Sequence, residues 1–327
     1  MTFFRNQYGF SEDICFDLIG MPVSKWVRML KSLTKFGDQS NTVLSETLPF
    51  RRPDSGIERI LFQVRDFLNK ARIEKTIVDN RLNEFDIYHF EQGADPYRDS
   101  RWVKKLSQQG KKIVCFYHGT DVRNRGIFED VHRLSQLNLT SEIDLLPKIP
   151  GMKYLYLPID TEILKPKPRK PDGRIRISHA ARNRMYKGSD RIEEVVLRLK
   201  AKYPIDLVMI EDRPHAEALE LKGSSDIFID QITDLGGWGY GASSVESLAM
   251  GIPTVTRVNP MVGEFLGEHP FVNADGDTLE KSLITLIEDE ALRRKAGAFG
   301  RIWVIERHGL DSVMSMLYGY YHEAGLM

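Results

Sequence analysis

The stretch RISHAARNRMYKGSDRIEEVVLRLKAKYPIDLVMI, Arg176 to Ile210, decides the fold. Arg176–Ala180 and Asp206–Ile210 read as short buried strands, and Asp190–Tyr203 between them reads as a helix. Strand, loop, helix and strand in that order make one βαβ unit, which joins neighbouring strands of a parallel sheet. Downstream the series continues with strands at Asp226–Asp230 and Pro253–Arg257. Its helices are Pro214–Lys222, Gly241–Met250 and Asp277–Glu288, followed by a helical C-terminus. Upstream, Asp86–Phe90 and Lys112–His118 read as strands flanking a helical SRWVKKLSQQG that stops at Gly110. Val23–Phe36 and the charged Ser55–Asn83 read as helices, and Asn41–Ser45 as a weaker strand.

From Tyr154 the segment YLYLP reads as a strand. Four prolines between Pro158 and Pro171, interleaved with lysines and arginines, then forbid any regular element. This marks a boundary. The expected organisation is an N-terminal Rossmann-like domain over residues 1–157, a linker over 158–174 and a second domain over 175–308. A C-terminal helix at about 309–327 is expected to pack back on the first domain. The expected fold class is α/β, two doubly wound domains facing each other across a cleft. Ligands in such sheets bind beyond the carboxyl ends of the strands, so residues just after strands carry the most weight.

At 327 residues the chain suits two domains of ordinary size. Its 46 basic residues balance 46 acidic ones, which argues against a bulk nucleic-acid binder. Two cysteines, Cys15 and Cys115, build neither a disulfide framework nor a four-thiolate zinc site, and point to a reducing compartment. No apolar run is long enough to span a bilayer, and acids interrupt the amino end where a signal peptide needs an apolar core. A cytoplasmic location is expected.

Four constellations can carry chemistry. In HAARNRMYKGSDR, a loop after a strand holds Arg182, Arg184 and Lys187. Gly188 leads into a helix capped by Ser189 or Asp190. Cations and free amides at such a helix start form an anion site; the bland reading is a solvated basic loop. In DLGGWGYGASSVESLAMGIP, four glycines at 236, 237, 239 and 241 precede a helix with Glu246 one turn inside. Glycines let a ligand approach the backbone, and a glutamate there can hold hydroxyls, as acidic residues hold ribose in dinucleotide folds. A mobile glycine loop is the alternative. In YHGTDVR, His118 ends a strand with Asp121 nearby. The histidine can serve as acid, base or hydrogen-bond donor, or be merely structural. In the helix 23–36, Lys25, Arg28, Lys31 and Lys35 recur at three- or four-residue spacing. They suit either an anionic membrane surface or a solvated face. No metal constellation is visible: the histidines are scattered, and Asp277 in Asp275-Gly276-Asp277 reads as an N-cap.

Taken together these segments resemble retaining glycosyltransferases of the GT-B fold, glycosyltransferase family 4, most strongly from about Lys153 to Val258. Arg182, Lys187 and Gly188 match the family's arginine and following Lys-Gly, which bind the donor diphosphate. Trp238-Gly239-Tyr240-Gly241, Glu246 and the run to Pro253 match its donor motif. The resemblance implies that Glu246 holds the ribose and that amides of Gly241, Ala242 and Ser243 face the phosphate or sugar. It places His118 near the transferred sugar, and it adds Gly20 and Tyr240 to the donor contacts. His118, Arg182 and Lys187 are then the catalytic candidates, while Asp121, Glu211 and Arg213 are candidate substrate or base contacts. The sequence departs from the family at Trp238, where the family has a glutamate that contacts the donor sugar.

The implied activity is transfer from a nucleotide-diphosphate sugar, a UDP-sugar being favoured, to a hydroxyl of a glycan or lipid-linked glycan. No metal or other cofactor is expected. Front-face attack would retain configuration. A nucleotide-sugar-binding protein without catalysis, or an epimerase or phosphorylase of the same fold, is the competing reading. The expected partners are the donor, the acceptor and, through helix 23–36, the inner face of a membrane. No nucleic-acid partner is expected.

Overall fold

The computed structural model describes residues 67–327, apart from 68–69, 72, 76, 80, 92, 94, 96–99, 120–121, 124–125 and 168–171. Helix 23–36, the strand at Asn41–Ser45, and Cys15, Gly20 and Asp121 lie outside the described residues. Two compact units are present. The described residues up to Ser141, with Ile149–Lys153 and Gly319–Met327, form the first; Glu142–Lys148 and Tyr154–Tyr318 form the second.

The first unit holds a sheet in the order β1-β2-β3-β4. Its strands are β1 (Ile87–Glu91), β2 (Lys112–Tyr117), β3 (Leu137–Thr140) and β4 (Met152–Tyr154). β1 pairs with β2 and β2 with β3, both parallel. Helix α1 (Arg101–Gln108) connects the first pair and α2 (Glu129–Leu134) the second. α1 buries Trp102, Val103 and Leu106, and β2 buries every residue from Ile113 to Tyr117, as a strand covered on both faces must. Two differences from the sequence reading appear. β4 ends at Tyr154, where the strand was expected to begin, because the following residues run toward the backbone of Gly309 rather than along the sheet. Leu137–Thr140, not read as an element from the sequence, is a paired strand.

The second unit is a five-stranded parallel sheet in the order β6-β5-β7-β8-β9. It comprises β5 (Ile175–Ala180), β6 (Ile205–Ile210), β7 (Ile227–Ile229), β8 (Thr254–Thr256) and β9 (Val272–Asn273). Between them run α3 (Arg184–Lys187), α4 (Ser189–Lys200), α5 (His215–Gly223), α6 (Ala242–Ala249) and α7 (Pro260–Leu266). α8 (Leu279–Glu288), α9 (Glu290–His308) and α10 (Leu310–Glu323) follow. α4 forms because Ile192, Val195, Val196 and Leu199 share one face, which buries completely against Ile177, Ile205, Ile227 and Ile229. Phe228 points the other way, onto Met250 and Ile252, so β7 is apolar throughout. Each such side chain contributes about 1.5–3 kcal/mol over its exposed state.

The chain moves from β5 outward to β6 and then returns to the opposite side of β5 with β7. The carboxyl ends of β5 and β7 therefore flank the switch point where open parallel sheets hold ligands. One cap differs from expectation. Asp275, not Asp277, receives the amides of Asp277 and Thr278, and Thr278 is the N-cap of α8. Among the described residues no helix is long and apolar enough to cross a membrane.

Candidate functional site at the switch point of the second sheet

After β5 the chain makes a single helical turn. Asn183 opens α3 by accepting the Tyr186 amide at 3.2 Å, and Gly188 closes it with φ 71°. A Cβ at Gly188 would lie 2.6 Å from Ile232 Cγ1, so glycine alone allows this turn to pack on the loop after β7. Gly188 is also the N-cap of α4, with no side-chain cap; Ser189 is buried and bonded elsewhere. Its Oγ lies 2.7 Å from His179 Nε2, while His179 Nδ1 lies 2.9 Å from the Ile229 carbonyl. A carbonyl only accepts, so Nδ1 carries the proton and Nε2 accepts from Ser189. Burial holds the ring's pKa below the ordinary histidine value, which favours this neutral form.

The three cations of this turn have different surroundings. Arg184 is clamped by Asp190, Glu193 and Glu211 at 2.6–2.8 Å, and these carboxylates raise its pKa. Glu211 and Arg184 thus serve each other, and Arg213 pairs with Glu217 at 3.0 Å. Arg182 is exposed. Lys187 turns inward, onto Asp230 at the end of β7, and also gives a 3.3 Å bond to Gln231.

Asp230 is fully buried and joins the two sequence motifs. One oxygen takes Lys187; the other takes the Ser244 hydroxyl at 2.6 Å and the Gly241 amide at 3.3 Å. Burial pushes its carboxyl up. The Lys187 ammonium and these hydrogen bonds outweigh that and hold it below the ordinary carboxylate value. Gln231 continues the network by donating to the Gly237 carbonyl at 3.0 Å, and Thr256 donates to that of Gly239 at 3.0 Å. Gly239 has φ 81°, and a Cβ there would meet Val262 Cγ1 at 2.8 Å. The glycine loop is thus fixed by side chains from two strands.

Trp238 and Tyr240 leave this loop differently. The Trp238 ring lies 5.5 Å from Lys148 Nζ, and Lys148 is itself held by the buried Asp144 at 2.8 Å. Tyr240 packs its ring on Phe271 and Trp303, with centroids 4.7 and 5.6 Å away. Its hydroxyl sits between Tyr154 (3.3 Å) and His308 Nε2 (3.1 Å). That places Tyr240 as the anchor of the loop.

Helix α6 begins at Ala242, and the amides of Ala242 and Ser243 in its first turn have no partner within the helix. One turn on, Glu246 is almost buried. Its Oε2 accepts from Lys222 at 2.6 Å and its Oε1 from His215 at 2.8 Å. Burial raises its carboxyl, but the bond from His215 and the Lys222 charge bring it below the usual range.

In the first unit, His118 lies at the carboxyl end of β2, with Nε2 2.8 Å from Glu91 Oε2 at the end of β1. This is a histidine oriented by a carboxylate, each about a quarter exposed. Cys115 is buried beside Ser135, and burial pushes its thiol up to about 12. Among the described residues no group of three or more His, Cys, Asp or Glu could hold a metal ion.

The structure therefore brings together Lys187, Gly188, Gly241 and Glu246 through residues that the sequence reading did not select: Asp230, Gln231, Lys222 and His215. The register that sets His179 beside Ile229 carries the signal for Asp230, the next residue. Glu91 was missed because the strand was read as ending at Phe90.

No protein-family profile matches the sequence, and no curated protein does. Solved structures do. The chain is similar to HepE from Anabaena in complex with UDP (12% identity, 88% of this chain, 96% of that one, TM-score 0.55). It is also similar to a glycosyltransferase from Rickettsia africae (14% identity, 83% of each chain, TM-score 0.55). The fold is GT-B. TarM from S. aureus matches at 11% identity over 64% of this chain, with TM-score 0.46, and this chain spans half of TarM's length.

Proposed function

We propose that this GT-B chain is a glycosyltransferase that uses a nucleotide-diphosphate sugar, with UDP as the favoured nucleotide. The observation that carries the reading is the convergence at the switch point of Lys187, Asp230 and the amide end of α6, with Glu246 one turn inside. Glu246 is assigned the ribose hydroxyls, and Arg182, Lys187 and the amides of Gly241, Ala242 and Ser243 the diphosphate. Gly188 and Gly239 keep the backbone close. Lys187 has three N–H donors, and giving two of them to Asp230 and Gln231 fixes the ammonium before any donor arrives. Fixed charge at the place where charge develops is the efficient form of electrostatic catalysis.

In the reaction, the bond from the sugar's anomeric carbon to the phosphate oxygen breaks, and its electron pair goes to the diphosphate. The acceptor oxygen bonds to the same face and gives its proton to the leaving phosphate, so configuration is retained. The cations and amides named above supply the counter-charge, and no metal is required in this proposal. His118, oriented by Glu91, is assigned a hydrogen bond to the transferred sugar. The acceptor is proposed to be a glycan or lipid-linked glycan presented at the inner face of a membrane.

The test is calorimetric and thermal-shift titration with UDP, GDP, ADP and their sugar conjugates, with and without EDTA. Micromolar binding of one nucleotide, indifferent to EDTA and lost in Arg182→Ala, supports the donor site. Absence of binding by all of them overturns it. Binding without turnover on any acceptor would favour a nucleotide-sugar-binding protein, the reading that Trp238 in place of a glutamate also suits.

A further inference from the structure

Glu246 is not a lone carboxylate waiting for a diol. Lys222, only 2% exposed, reaches it at 2.6 Å and also meets Ser243 Oγ at 3.2 Å and the Phe228 ring at 4.9 Å. That buried pair balances its own charge. His215 is an addition: the first residue of α5, placed just beyond the carboxyl end of β6, and bonded to the other carboxylate oxygen at 2.8 Å. Its side chain is 62% exposed. A surface histidine that serves only to complete a buried pair already complete without it has no evident structural purpose.

The acceptor count gives it one. Each oxygen of Glu246 can accept about two hydrogen bonds. Lys222 takes one on Oε2 and His215 one on Oε1, which leaves one acceptor site per oxygen. Two acceptors side by side are what a vicinal diol requires. A ribose seated there lies against the imidazole, which is largely exposed to solvent.

We propose that His215 is a nucleoside-positioning residue of the donor site, contacting the ribose or base of a nucleoside diphosphate whose diol is held by Glu246, and that its positive charge contributes to binding. This rests on the donor-site reading above. The charges acting on the ring are Glu246 from α6 and Lys222 from α5 itself. The neighbouring acids and base are otherwise engaged: Glu211 at the end of β6 with Arg184, and Arg213 with Glu217. The bond to Glu246 raises the imidazole pKa, with burial and Lys222 opposing, so the ring gives up its proton on the alkaline side of the ordinary histidine range. The protonated form donates a charge-assisted bond and adds a cation beside the bound anion.

The experiment titrates wild type, His215→Gln and His215→Ala with UDP-glucose between pH 6 and 8.5. At pH 7 the titrations are repeated in two buffers of different ionisation enthalpy. The probe is a diphosphate esterified at both ends, so its phosphates do not titrate in this window. The expected result is affinity that falls roughly tenfold across the range for wild type, the worth of one charge-assisted hydrogen bond. Net proton uptake on binding should accompany it. In His215→Gln, which keeps the bond to Glu246 but cannot titrate, the pH profile should flatten and proton uptake vanish; His215→Ala should bind roughly tenfold more weakly at pH 6. Because the side chain is exposed, all three proteins should melt within a degree or two of one another. If UDP-glucose binds and both variants reproduce the wild-type affinity and pH profile, the role of His215 is refuted while the donor site stands. If wild type binds neither UDP-glucose nor its GDP and ADP counterparts, the donor site falls and this inference with it.

Discussion

His308 gives the prediction with the best-defined magnitude. Its ring is fully buried, donates from Nδ1 to the Leu157 carbonyl at 2.8 Å and accepts at Nε2 from the Tyr240 hydroxyl at 3.1 Å. Burial lowers its pKa to about 4. In the unfolded chain a histidine titrates near 6.5, so between the two values the unfolded state binds the extra proton. Stability is therefore highest above pH 6.5 and is lost as pH falls toward 4. The loss reaches about 2 kcal/mol at pH 5 and about 3.4 kcal/mol well below pH 4. The assay is urea unfolding of wild type and His308→Gln at pH 7.5, 6 and 5, followed by far-UV circular dichroism. Glutamine retains a donor and an acceptor but no titration. Other buried histidines, His179 among them, shift in the same direction and drop out of the comparison. Whatever the variant's deficit at pH 7.5, it should shrink by about 2 kcal/mol at pH 5. A deficit that is the same at both pH values refutes a neutral buried His308.

Four further outcomes are expected. Lys222→Met strands the Glu246 carboxylate with only an exposed partner and should cost about 3–5 kcal/mol in urea unfolding; a loss under about 1 kcal/mol would mean that the pair is solvated. Asp230→Asn turns an amide toward the donors Lys187, Ser244 and Gly241 and should cost about 1–3 kcal/mol, seen as a lower melting temperature. Gly239→Ala forces a Cβ into Val262 at a φ of 81° and should cost about 1–3 kcal/mol while weakening nucleotide binding; wild-type titration curves would show that the loop conformation is irrelevant to the site. Glu91→Gln should lower kcat by about tenfold or more with the donor KM unchanged; an unchanged kcat removes His118 orientation from the mechanism.

Much of the second unit was legible in the sequence because its signals are local. The strand at Arg176–Ala180, the helix through Val195 and Val196, and the glycine loop leading to a helix with Glu246 inside all rest on spacing within a dozen residues. The partners of those residues were not legible. Asp230 reads as the polar end of a strand, and only the parallel register of β5 with β7 sets it against Lys187. Lys222 sits in a helix rich in charge, where a lysine is ordinarily solvated, yet it is 2% exposed because Glu246 is there to receive it. Glu91 and His118 are brought together by adjacent strands with 26 residues between them. Spacing along the chain encodes which residues share a face; it does not encode which strand lies alongside.

Those partners change what the basic loop means. Read as sequence, Arg182, Arg184 and Lys187 make a cationic patch beside a helix N-terminus. In the structure, three carboxylates neutralise Arg184, and Asp230 stands between Lys187 and the start of α6. A buried carboxylate at a helix N-terminus is itself the anion that such a terminus favours. It stabilises the start of α6 and opposes a second anion there. A diphosphate therefore cannot be held by bulk positive charge. Under the proposed function it would be held by the donors that Asp230 leaves over, the third N–H of Lys187 and the amides of Ala242 and Ser243, together with Arg182. Tight binding then depends on correct placement rather than on the number of cations. The same packing that costs the site its surplus charge fixes Lys187 through Asp230 and Gln231, and seats the glycine loop on Val262 and the Tyr240 anchor. On this argument affinity for a nucleotide-diphosphate sugar should fall far less steeply with added salt than affinity for a loosely held polyanion, because screening weakens exposed charge more than buried hydrogen-bond geometry.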